Sequence, residues 1–225
     1  MINHEKIWLL FDDKNEEYFS KDFYDTLKRN SLWQHYDFFY KEIYGCEFSN
    51  QNCIYEMGKC LINENDIVVD LGANVGFFSN FAAKKCKKLI SVEGSPEMFS
   101  CLVRNTSEEN KNIQYINANI VPKKDCILDV WSKNPSKINL TIEDIFKINN
   151  LNKIDFLKID IEGLEYDIFD DIDPIILNSI NKLAIEVHNE EKNHKLRNIF
   201  NKKNFFSFDW YIDNSRTTTY YFTND

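Results

Sequence analysis

The side chains most able to do chemistry in this sequence are charged residues that interrupt two apolar segments. In the first segment Lys158, Asp160 and Glu162 alternate with isoleucines, and in the second Glu186 and His188 flank a valine. A period of two places the members of each set on one face of a strand, where unpaired buried charge is strongly unfavourable. An exposed edge strand would show the same alternation. If instead the two strands are adjacent in a buried parallel sheet, the acids and the histidine form one cluster at its carboxyl edge.

A second candidate site is the turn from Asp70 to Gly76, between an apolar run and a helical pattern. Gly72 and Gly76 let the backbone turn sharply and approach a ligand closely. The spacing departs from the G-x-G-x-x-G dinucleotide pattern, and taken alone it is equally typical of a packing motif. About twenty residues later Glu93 ends the next apolar run, where a carboxylate can accept hydrogen bonds from both hydroxyls of a ribose. With Gly94 directly after it, the pattern favours an adenosine-containing ligand.

These residues need an alternation of strands and helices to position them, which is typical of a parallel sheet with crossover helices. Apolar runs predict strands at 67–71, 88–92, 113–116, 154–161 and 183–187, with a terminal β-hairpin at 205–212 and 217–222. Helical spacing and capping residues predict helices after Val75, after Ser95-Pro96, and at 54–61, 141–148, 164–168, 172–180 and 195–200. Residues 121–140 are ambiguous and suit an edge strand and a loop. We therefore expect an α/β domain over 63–225, preceded by a cap of short helices over 1–62.

Composition and charge exclude several classes of protein. The chain has 225 residues, a net charge of −9, six glycines and four prolines, so it is neither collagen-like nor a low-complexity linker. Scattered lysines in an acidic chain argue against a nucleic-acid groove or an anionic membrane surface. No apolar run approaches the ~18–20 residues of a membrane span, and the first residues do not resemble a signal peptide. The six cysteines form no C-x-x-C pair, which predicts free thiols in a reducing compartment, so we expect a soluble, cytoplasmic protein.

Four motifs lie within roughly residues 66 to 190: Val69–Ser79, Val92–Pro96, Leu157–Glu165 and Ile185–His188. Together they resemble the motifs of the FkbM family of S-adenosylmethionine-dependent methyltransferases. The resemblance implies a Rossmann-like, seven-stranded methyltransferase sheet that is parallel except for a C-terminal antiparallel hairpin.

The same resemblance implies where the cofactor S-adenosylmethionine is held. The glycine-containing loop would surround its methionine end, Glu93 would bind its ribose, and Asn117 and Asn119 would lie at its adenine. The cofactor-binding positions implied in this way are Asp70, Gly72, Ala73, Asn74, Gly76, Phe77, Phe78, Glu93, Gly94, Asn117 and Asn119. The family's charged motif residues fall on Lys158, Asp160, Glu162, Glu186 and His188, which are therefore the candidate catalytic residues.

Methyl transfer to an alcohol needs a group that removes the hydroxyl proton. His188 or Asp160 can act as this general base, while the remaining carboxylates orient the base or the acceptor. Alternatively, Asp160, Glu186 and His188 bind a divalent cation such as Mg²⁺, which lowers the pKa of hydroxyls that it chelates. Because an acidic site suits a polyol better than a carboxylate, we expect O-methylation of a sugar. That sugar would be nucleotide-linked or part of a surface-glycan precursor in polysaccharide biosynthesis.

Two other functions stay open at this point. One is an NAD-dependent oxidoreductase, which the missing third glycine of the dinucleotide motif disfavours. The other is a non-catalytic nucleotide-binding or scaffold module on the same fold, against which the intact Asp70, Gly72, Glu93, Asp160 and His188 argue. We expect no nucleic-acid partner. Aromatic residues of the cap suit a partner subunit, so a homo-oligomer is a further expectation.

Overall fold

The computed structural model describes residues 53, 55–108, 110–125, 136–161, 163–170, 172–187, 196, 199, 204–212 and 215–223, those at 204–218 by their backbone only. The short helices predicted over 1–52, and the subunit contact expected of them, lie outside these residues. The fold is therefore described from Cys53 onward.

Most of the described strands belong to one large sheet, and two more form a separate short pair. The nine strands are β1 (Ile67–Leu71), β2 (Lys88–Glu93), β3 (Ile113–Asn117), β4 (Asn119–Ile120), β5 (Asn139–Leu140), β6 (Ile154–Ile159), β7 (Ile180–Val187), β8 (Asn204–Ile212) and β9 (Ser215–Thr223). The large sheet has seven strands in the order β3-β2-β1-β6-β7-β9-β8. Its strands pair in parallel from β3 to β7, whereas β9 is antiparallel to both β7 and β8. The predicted α/β sheet with a C-terminal hairpin is confirmed.

Five helices connect or cover the strands within the described ranges. They are α1 (Phe77–Ala83), α2 (Pro96–Thr106), α3 (Ile142–Ile148), α4 (Asp167–Asp170) and α5 (Pro174–Asn178). The Ser95 hydroxyl accepts the Met98 amide at 3.3 Å and Pro96 follows at the first helical position, as predicted. Thr141 and Asp144 form a reciprocal capping box at the start of α3. None of the helices in this part of the chain is long and apolar enough to cross a bilayer.

Three predictions of local structure are wrong. Residues 55–61 are not helical, because Met57 and Cys60 pair in a short antiparallel bridge around a turn, in which Gly58 has φ 60°. The predicted strand 154–161 stops at Ile159, so Asp160 follows the strand instead of belonging to it. The helix predicted at 164–168 begins only at Asp167.

Apolar side chains cover both faces of the large sheet. Neighbouring residues of one strand alternate between the faces: Val69 and Leu157 belong to one buried cluster, Val68 and Phe156 to the other. The first cluster includes residues of α3. The second contains α1 together with Cys53, Tyr55, Cys60 and Ile62. The segment before β1 therefore packs on the same side of the sheet as α1.

Candidate active site

The loop between β1 and α1 has an unusual backbone. Gly72 has φ 77°, Asn74 φ 49° and Gly76 φ 94°, all in the left-handed region that favours glycine and asparagine. The amides of Gly72 and Ala73 both donate to the Val92 carbonyl oxygen at 3.0 Å. These bonds hold the loop against the end of β2, where a parallel sheet offers a crevice for a ligand.

Gly72 also lies against the chain that leaves β6. A Cβ atom placed on Gly72 would be 1.7 Å from the carbonyl oxygen of Asp160 and 2.8 Å from its carbonyl carbon. The Asp160 amide in turn donates to the Leu71 carbonyl oxygen at 3.0 Å. The glycine-containing loop and Asp160 therefore touch through their backbones.

Asp70, in β1, lies just before this loop, and its buried carboxylate contacts Ser79 and Lys158. Its side chain has no exposed surface, and its Oδ2 accepts a hydrogen bond from the Ser79 hydroxyl at 2.7 Å. Burial raises the pKa of Asp70, although Lys158 and Ser79 both oppose that rise. The carboxylate is thus an internal acceptor and counter-ion beneath the predicted cofactor site.

The apolar residues of the loop and of the first turn of α1 differ in exposure. Ala73 and Phe78 are buried, and Phe77 is half-buried. The Phe78 ring stacks on Phe156 at 6.2 Å and meets the edge of Tyr55 at 5.4 Å. Phe78 is therefore part of the core, and contact of these three side chains with a cofactor stays a prediction.

Glu93 ends β2 directly beside the loop. Its Oε2 accepts the Asn74 amide at 2.8 Å and its Oε1 accepts the Ser95 amide at 2.7 Å. Burial raises the pKa of Glu93, and the two amide donors oppose this rise. Because each carboxylate oxygen keeps a further lone pair, the group can still accept ribose hydroxyls while it ties the loop to β2.

Two asparagines, one at the end of β3 and one at the start of β4, hold neighbouring segments together. Asn117 donates to the Glu93 carbonyl oxygen at 2.8 Å, and Asn119 donates to the Ser136 carbonyl oxygen at 2.7 Å. Ser136, which the sequence did not single out, donates its amide to the Gly94 carbonyl oxygen at 2.7 Å. A side chain at Gly94 would meet the Asn119 amide oxygen at 2.8 Å. The adenine contacts of Asn117 and Asn119 stay a prediction.

Lys158 is buried in the middle of the sheet, between β1 and β7. Its Nζ donates to the Gly72 carbonyl oxygen at 2.7 Å and lies 3.3 Å from Asp70 Oδ1 and 3.6 Å from Asp160 Oδ2. Burial lowers the pKa of Lys158, but the carboxylates of Asp70, Asp160 and Glu186 outweigh burial and raise it overall. The alternating charges therefore do not mark an exposed edge strand. Lys158 is a buried counter-ion that holds the loop.

Tyr55 contacts both Asp160, which follows β6, and Glu186, which lies on β7. Its hydroxyl oxygen is 3.1 Å from Asp160 Oδ2 and 2.8 Å from Glu186 Oε2. The Lys158 ammonium lies 5.1 Å from the centre of the Tyr55 ring. The sequence missed this residue because Tyr55 lies in a segment predicted as a helix of the cap, with no motif around it.

Two members of the cluster predicted from the sequence, Asp160 and Glu186, belong to the described residues. The structure brings Asp160 and Glu186 together, as the pairing of β6 with β7 requires. Glu162 and His188 lie outside the described residues, so their places in the cluster stay predictions.

The described side chains do not fit a divalent cation. They include no group of three His, Cys, Asp or Glu residues that could hold one. At Asp160, the Lys158 ammonium 3.6 Å away already supplies positive charge, and the Tyr55 hydroxyl stands between Asp160 and Glu186. The metal set of Asp160, Glu186 and His188 therefore gains no support from the described residues.

Solved structures share this fold. The methyltransferase FkbM of Methylobacillus flagellatus KT matches with a TM-score of 0.57 and 17% identity, over 75% of this chain and 46% of that one. TrmK of M. capricolum, solved with S-adenosyl-homocysteine, matches with a TM-score of 0.53 and 14% identity, over 73% and 65%. The precorrin-6y C5,15-methyltransferase of Geobacter metallireducens GS-15 matches with a TM-score of 0.51 and 9% identity, over 74% and 84%.

The sequence comparison gives the family. No curated protein matches the chain. The family model of the methyltransferase FkbM domain matches residues 70–207, which is more than half of the chain and includes the loop, Glu93, Lys158, Asp160 and Glu186. The chain therefore belongs to the FkbM methyltransferase family and is an S-adenosylmethionine-dependent methyltransferase.

Proposed function

We propose that this methyltransferase acts on a hydroxyl oxygen of a sugar, either nucleotide-linked or within a surface-glycan precursor. The observation that carries the proposal is the position of Asp160. Its backbone touches the cofactor loop at Gly72, and its side chain is 19% exposed. The neighbouring Asp70 side chain has no exposed surface and Glu186 is only 4% exposed. Among the described carboxylates of the cluster, Asp160 therefore has the most exposed side chain, and we propose that the acceptor hydroxyl approaches it.

Asp160 has the chemistry of a general base for this reaction. The bound cofactor supplies an electrophilic methyl group on a positively charged sulfur. A hydroxyl is a weak nucleophile while it keeps its proton, and a carboxylate within hydrogen-bond reach removes that proton as the new bond forms. His188, the next residue after β7, is the second candidate for this role. Glu186 is too deeply buried to meet the acceptor and orients Asp160 through Tyr55.

Charge supports a sugar ring that is neutral and rich in hydroxyls at the reacting position. Among the described residues, the carboxylates of Asp70, Asp160 and Glu186 all act on the ammonium of Lys158. A carboxylate as the methylated group would be repelled by this excess of negative charge, whereas a neutral hydroxyl would not. The whole chain also carries a net charge of −9, which is unfavourable for a polyanion such as RNA.

The test is a methyl-transfer assay with radiolabelled S-adenosylmethionine and a panel of nucleotide sugars, with tRNA and a peptide mixture as competing acceptors. We expect label in a sugar methyl ether, located by mass spectrometry, and at least a hundredfold lower kcat for Asp160→Asn, the usual size of a general-base contribution. Asp125→Asn, at an exposed position, is the matched control. Transfer to tRNA or to amines alone would overturn the proposal.

The proposed ribose contact of Glu93 has its own test. Glu93→Gln removes the charge and one of the acceptors for the Asn74 and Ser95 amides. A hydrogen bond to a charged group contributes about 1.5–3 kcal/mol, so we expect the Kd for S-adenosylhomocysteine to rise about tenfold to a hundredfold by calorimetry. Glu143→Gln in α3 is the control, and thermal denaturation checks that both variants are folded. Unchanged affinity in folded Glu93→Gln would contradict the ribose role.

A further inference from the structure

Ser136 is the centre of a hydrogen-bonded cluster beside the end of β2. The residue is only 8% exposed. Its amide donates to the Gly94 carbonyl oxygen at 2.7 Å and its hydroxyl donates to the Asn117 carbonyl oxygen at 3.0 Å. Its own carbonyl oxygen accepts a hydrogen bond from Asn119 Nδ2 at 2.7 Å. One residue thus connects the chain after β2, the end of β3 and the start of β4.

The amide group of Asn119 is used within the protein. Its Nδ2 lies 2.7 Å from the Ser136 carbonyl oxygen and 2.9 Å from Asn139 Oδ1, and these two contacts use both protons of the nitrogen. The reverse orientation of the amide would place its oxygen against the Ser136 carbonyl oxygen. Its Oδ1 lies against Gly94, where an added Cβ atom would be 2.8 Å away. Asn119 therefore has no amide proton left for an adenine nitrogen.

The same cluster holds the turn that carries Glu93. The Glu93 carbonyl oxygen accepts the Ala118 amide at 3.1 Å and Asn117 Nδ2 at 2.8 Å. The next carbonyl oxygen, that of Gly94, accepts the Ser136 amide. Because Glu93 is the last residue of β2, the path of the chain beyond it depends on such bonds. The cluster therefore fixes the position of the carboxylate that we propose as the ribose acceptor.

The strand pair β4 and β5 anchors this cluster in the core. The Asn119 amide donates to the Ile138 carbonyl oxygen at 2.8 Å, and the Val121 amide donates to the Leu140 carbonyl oxygen at 3.0 Å. Ile120 and Leu140 are 6% and 7% exposed and belong to the buried cluster that includes α3. Backbone pairing and apolar packing therefore fix the strand that carries Asn119.

We infer that Asn119 and Ser136 are positioning residues for the nucleoside end of the cofactor, which hold the turn of Glu93 and Gly94 in place, and that Asn119 does not itself bind the adenine. A group that binds a ligand needs such supporting hydrogen bonds to keep its geometry. The inference rests on the proposed cofactor site beside Glu93 and is independent of the sugar acceptor. The family resemblance implied an adenine contact for Asn119, whereas the contacts of its amide favour the internal role.

The test is calorimetric titration of S-adenosylhomocysteine into the variant Asn119→Asp. This substitution keeps the size of the side chain and an oxygen at its end, but it replaces the donor that faces the Ser136 carbonyl oxygen with an acceptor. We expect the Kd to rise about tenfold, comparable to the loss of one to two neutral hydrogen bonds. If Asn119 instead accepted the adenine amino group through its oxygen, Asn119→Asp would keep that contact. An unchanged or lower Kd in the folded variant would therefore overturn the inference.

Asn112→Asp is the matched control. Asn112 also donates through Nδ2 to backbone carbonyl oxygens, those of Ala83 at 2.9 Å and Cys86 at 3.0 Å. It precedes β3, whereas Asn117 ends that strand, so the control places the same charge at the opposite edge of the sheet. We expect thermal denaturation to show a lower midpoint for both variants, but the Kd of Asn112→Asp to stay within about threefold of wild type. An equal rise of the Kd in both variants would indicate general loosening of the protein and overturn the inference.

A change of base separates positioning from direct recognition. S-inosylhomocysteine has a carbonyl group where S-adenosylhomocysteine has the adenine amino group. A site that bonds this amino group directly discriminates between the two ligands, whereas loss of a positioning residue should weaken both by the same factor, within about threefold. A loss of affinity in Asn119→Asp that is confined to S-adenosylhomocysteine would overturn the inference.

Kinetics supply a readout that a merely structural role would not move, with the acceptor that the methyl-transfer assay identifies. We expect Asn119→Asp to raise the KM for S-adenosylmethionine about tenfold, while kcat at saturating cofactor stays within about threefold of wild type. A lower kcat with an unchanged KM would contradict a role at the nucleoside end.

The calorimetry needs no acceptor, so a failure of the sugar proposal does not affect it. If Glu93→Gln leaves the Kd unchanged but Asn119→Asp raises it, the ribose role of Glu93 is wrong and the inferred role of Asn119 stands. If Asn119→Asp does not fold, Ser136→Ala replaces it, because it removes only the hydroxyl that bonds Asn117 and Ile138. We expect the Kd of that variant to rise about threefold to tenfold, and a Kd within about twofold of wild type would overturn the inference.

Discussion

Gly72→Ala is expected to lower the free energy of unfolding by about 3–5 kcal/mol, in the range of severe steric substitutions, and to abolish cofactor binding. The new Cβ atom would be 1.7 Å from the carbonyl oxygen of Asp160, and backbone atoms cannot rotate away as a side chain can. The φ of 77° adds strain, because L-residues other than glycine disfavour that region. Any relaxation must move the loop away from β6 and disturb the cofactor site.

The measurements are urea denaturation and calorimetric titration with S-adenosylhomocysteine. Gly163→Ala separates the two causes, because Gly163 has φ 124° but nothing lies within 4 Å of a Cβ placed there. That control should cost only backbone strain, about 1–3 kcal/mol, and keep cofactor affinity within a few-fold. Equal losses of stability and affinity in the two variants would contradict the steric explanation.

Lys158→Met is expected to destabilise the protein by about 3–5 kcal/mol at pH 7, the usual effect of removing one partner from a buried ion pair. Methionine keeps most of the volume of the side chain but leaves the buried Asp70 carboxylate without its ammonium, which lies 3.3 Å away. It also removes the hydrogen bond to the Gly72 carbonyl oxygen at 2.7 Å, so the loop loses support as well.

The loss should depend on pH in a defined direction. Burial already raises the pKa of Asp70 and Lys158 opposes the rise, so without Lys158 the folded-state pKa is higher still. A folded state that binds protons more tightly than the unfolded chain loses stability as pH rises through the folded-state pKa. The deficit of Lys158→Met should therefore shrink as pH falls from 7 towards the unfolded pKa of about 4.

Two variants control this experiment, which is read by urea denaturation at several pH values. Asp70→Asn added to Lys158→Met should restore part of the lost stability, because the unpaired charge is gone. Lys153→Met removes an ion pair with Asp155 whose lysine side chain is 57% exposed, and it should change stability by at most about 1 kcal/mol. A deficit in Lys158→Met that is independent of pH, or no larger than that of Lys153→Met, would refute the role of Lys158 as a buried counter-ion.

Helices and strands could be predicted where they depend on capping or turn residues close together in the sequence. The cap at Ser95-Pro96, the capping box at Thr141 and the hairpin of β8 and β9 depend on residues a few positions apart, so the sequence alone displays them. The end of β6 was predicted two residues too late. The alternation of charged and apolar residues continues through Asp160 and Ile161, although the strand ends at Ile159. A helix was predicted at 54–61 for a related reason. The spacing of its apolar residues is compatible with a helix and also with the turn that forms there.

The candidate site was predictable in part. The alternation of strands and helices predicted a parallel sheet, and parallel strands bring their carboxyl ends to one edge, so Asp160 and Glu186 could be expected to meet if their strands were neighbours. That β6 and β7 are neighbours is known only from the structure. Tyr55 could not be expected there, because it is separated from the two acids by 105 and 131 residues and belongs to no motif. Only the packing of its segment on the face that also carries α1 brings its hydroxyl to the acids.

The sequence by itself determined that a tight turn follows β1, that an acid ends β2, and that charges interrupt a buried strand. These properties are local, because they depend on residue type, backbone freedom and period. The tertiary structure decided what each one does. It shows that Gly72 is required by the carbonyl of Asp160 and that Lys158 is a buried counter-ion. It also leaves Asp160 as the most exposed acid of the described cluster, at 19% of its side chain. Exposure and ion pairing depend on which strands become neighbours and on what covers them.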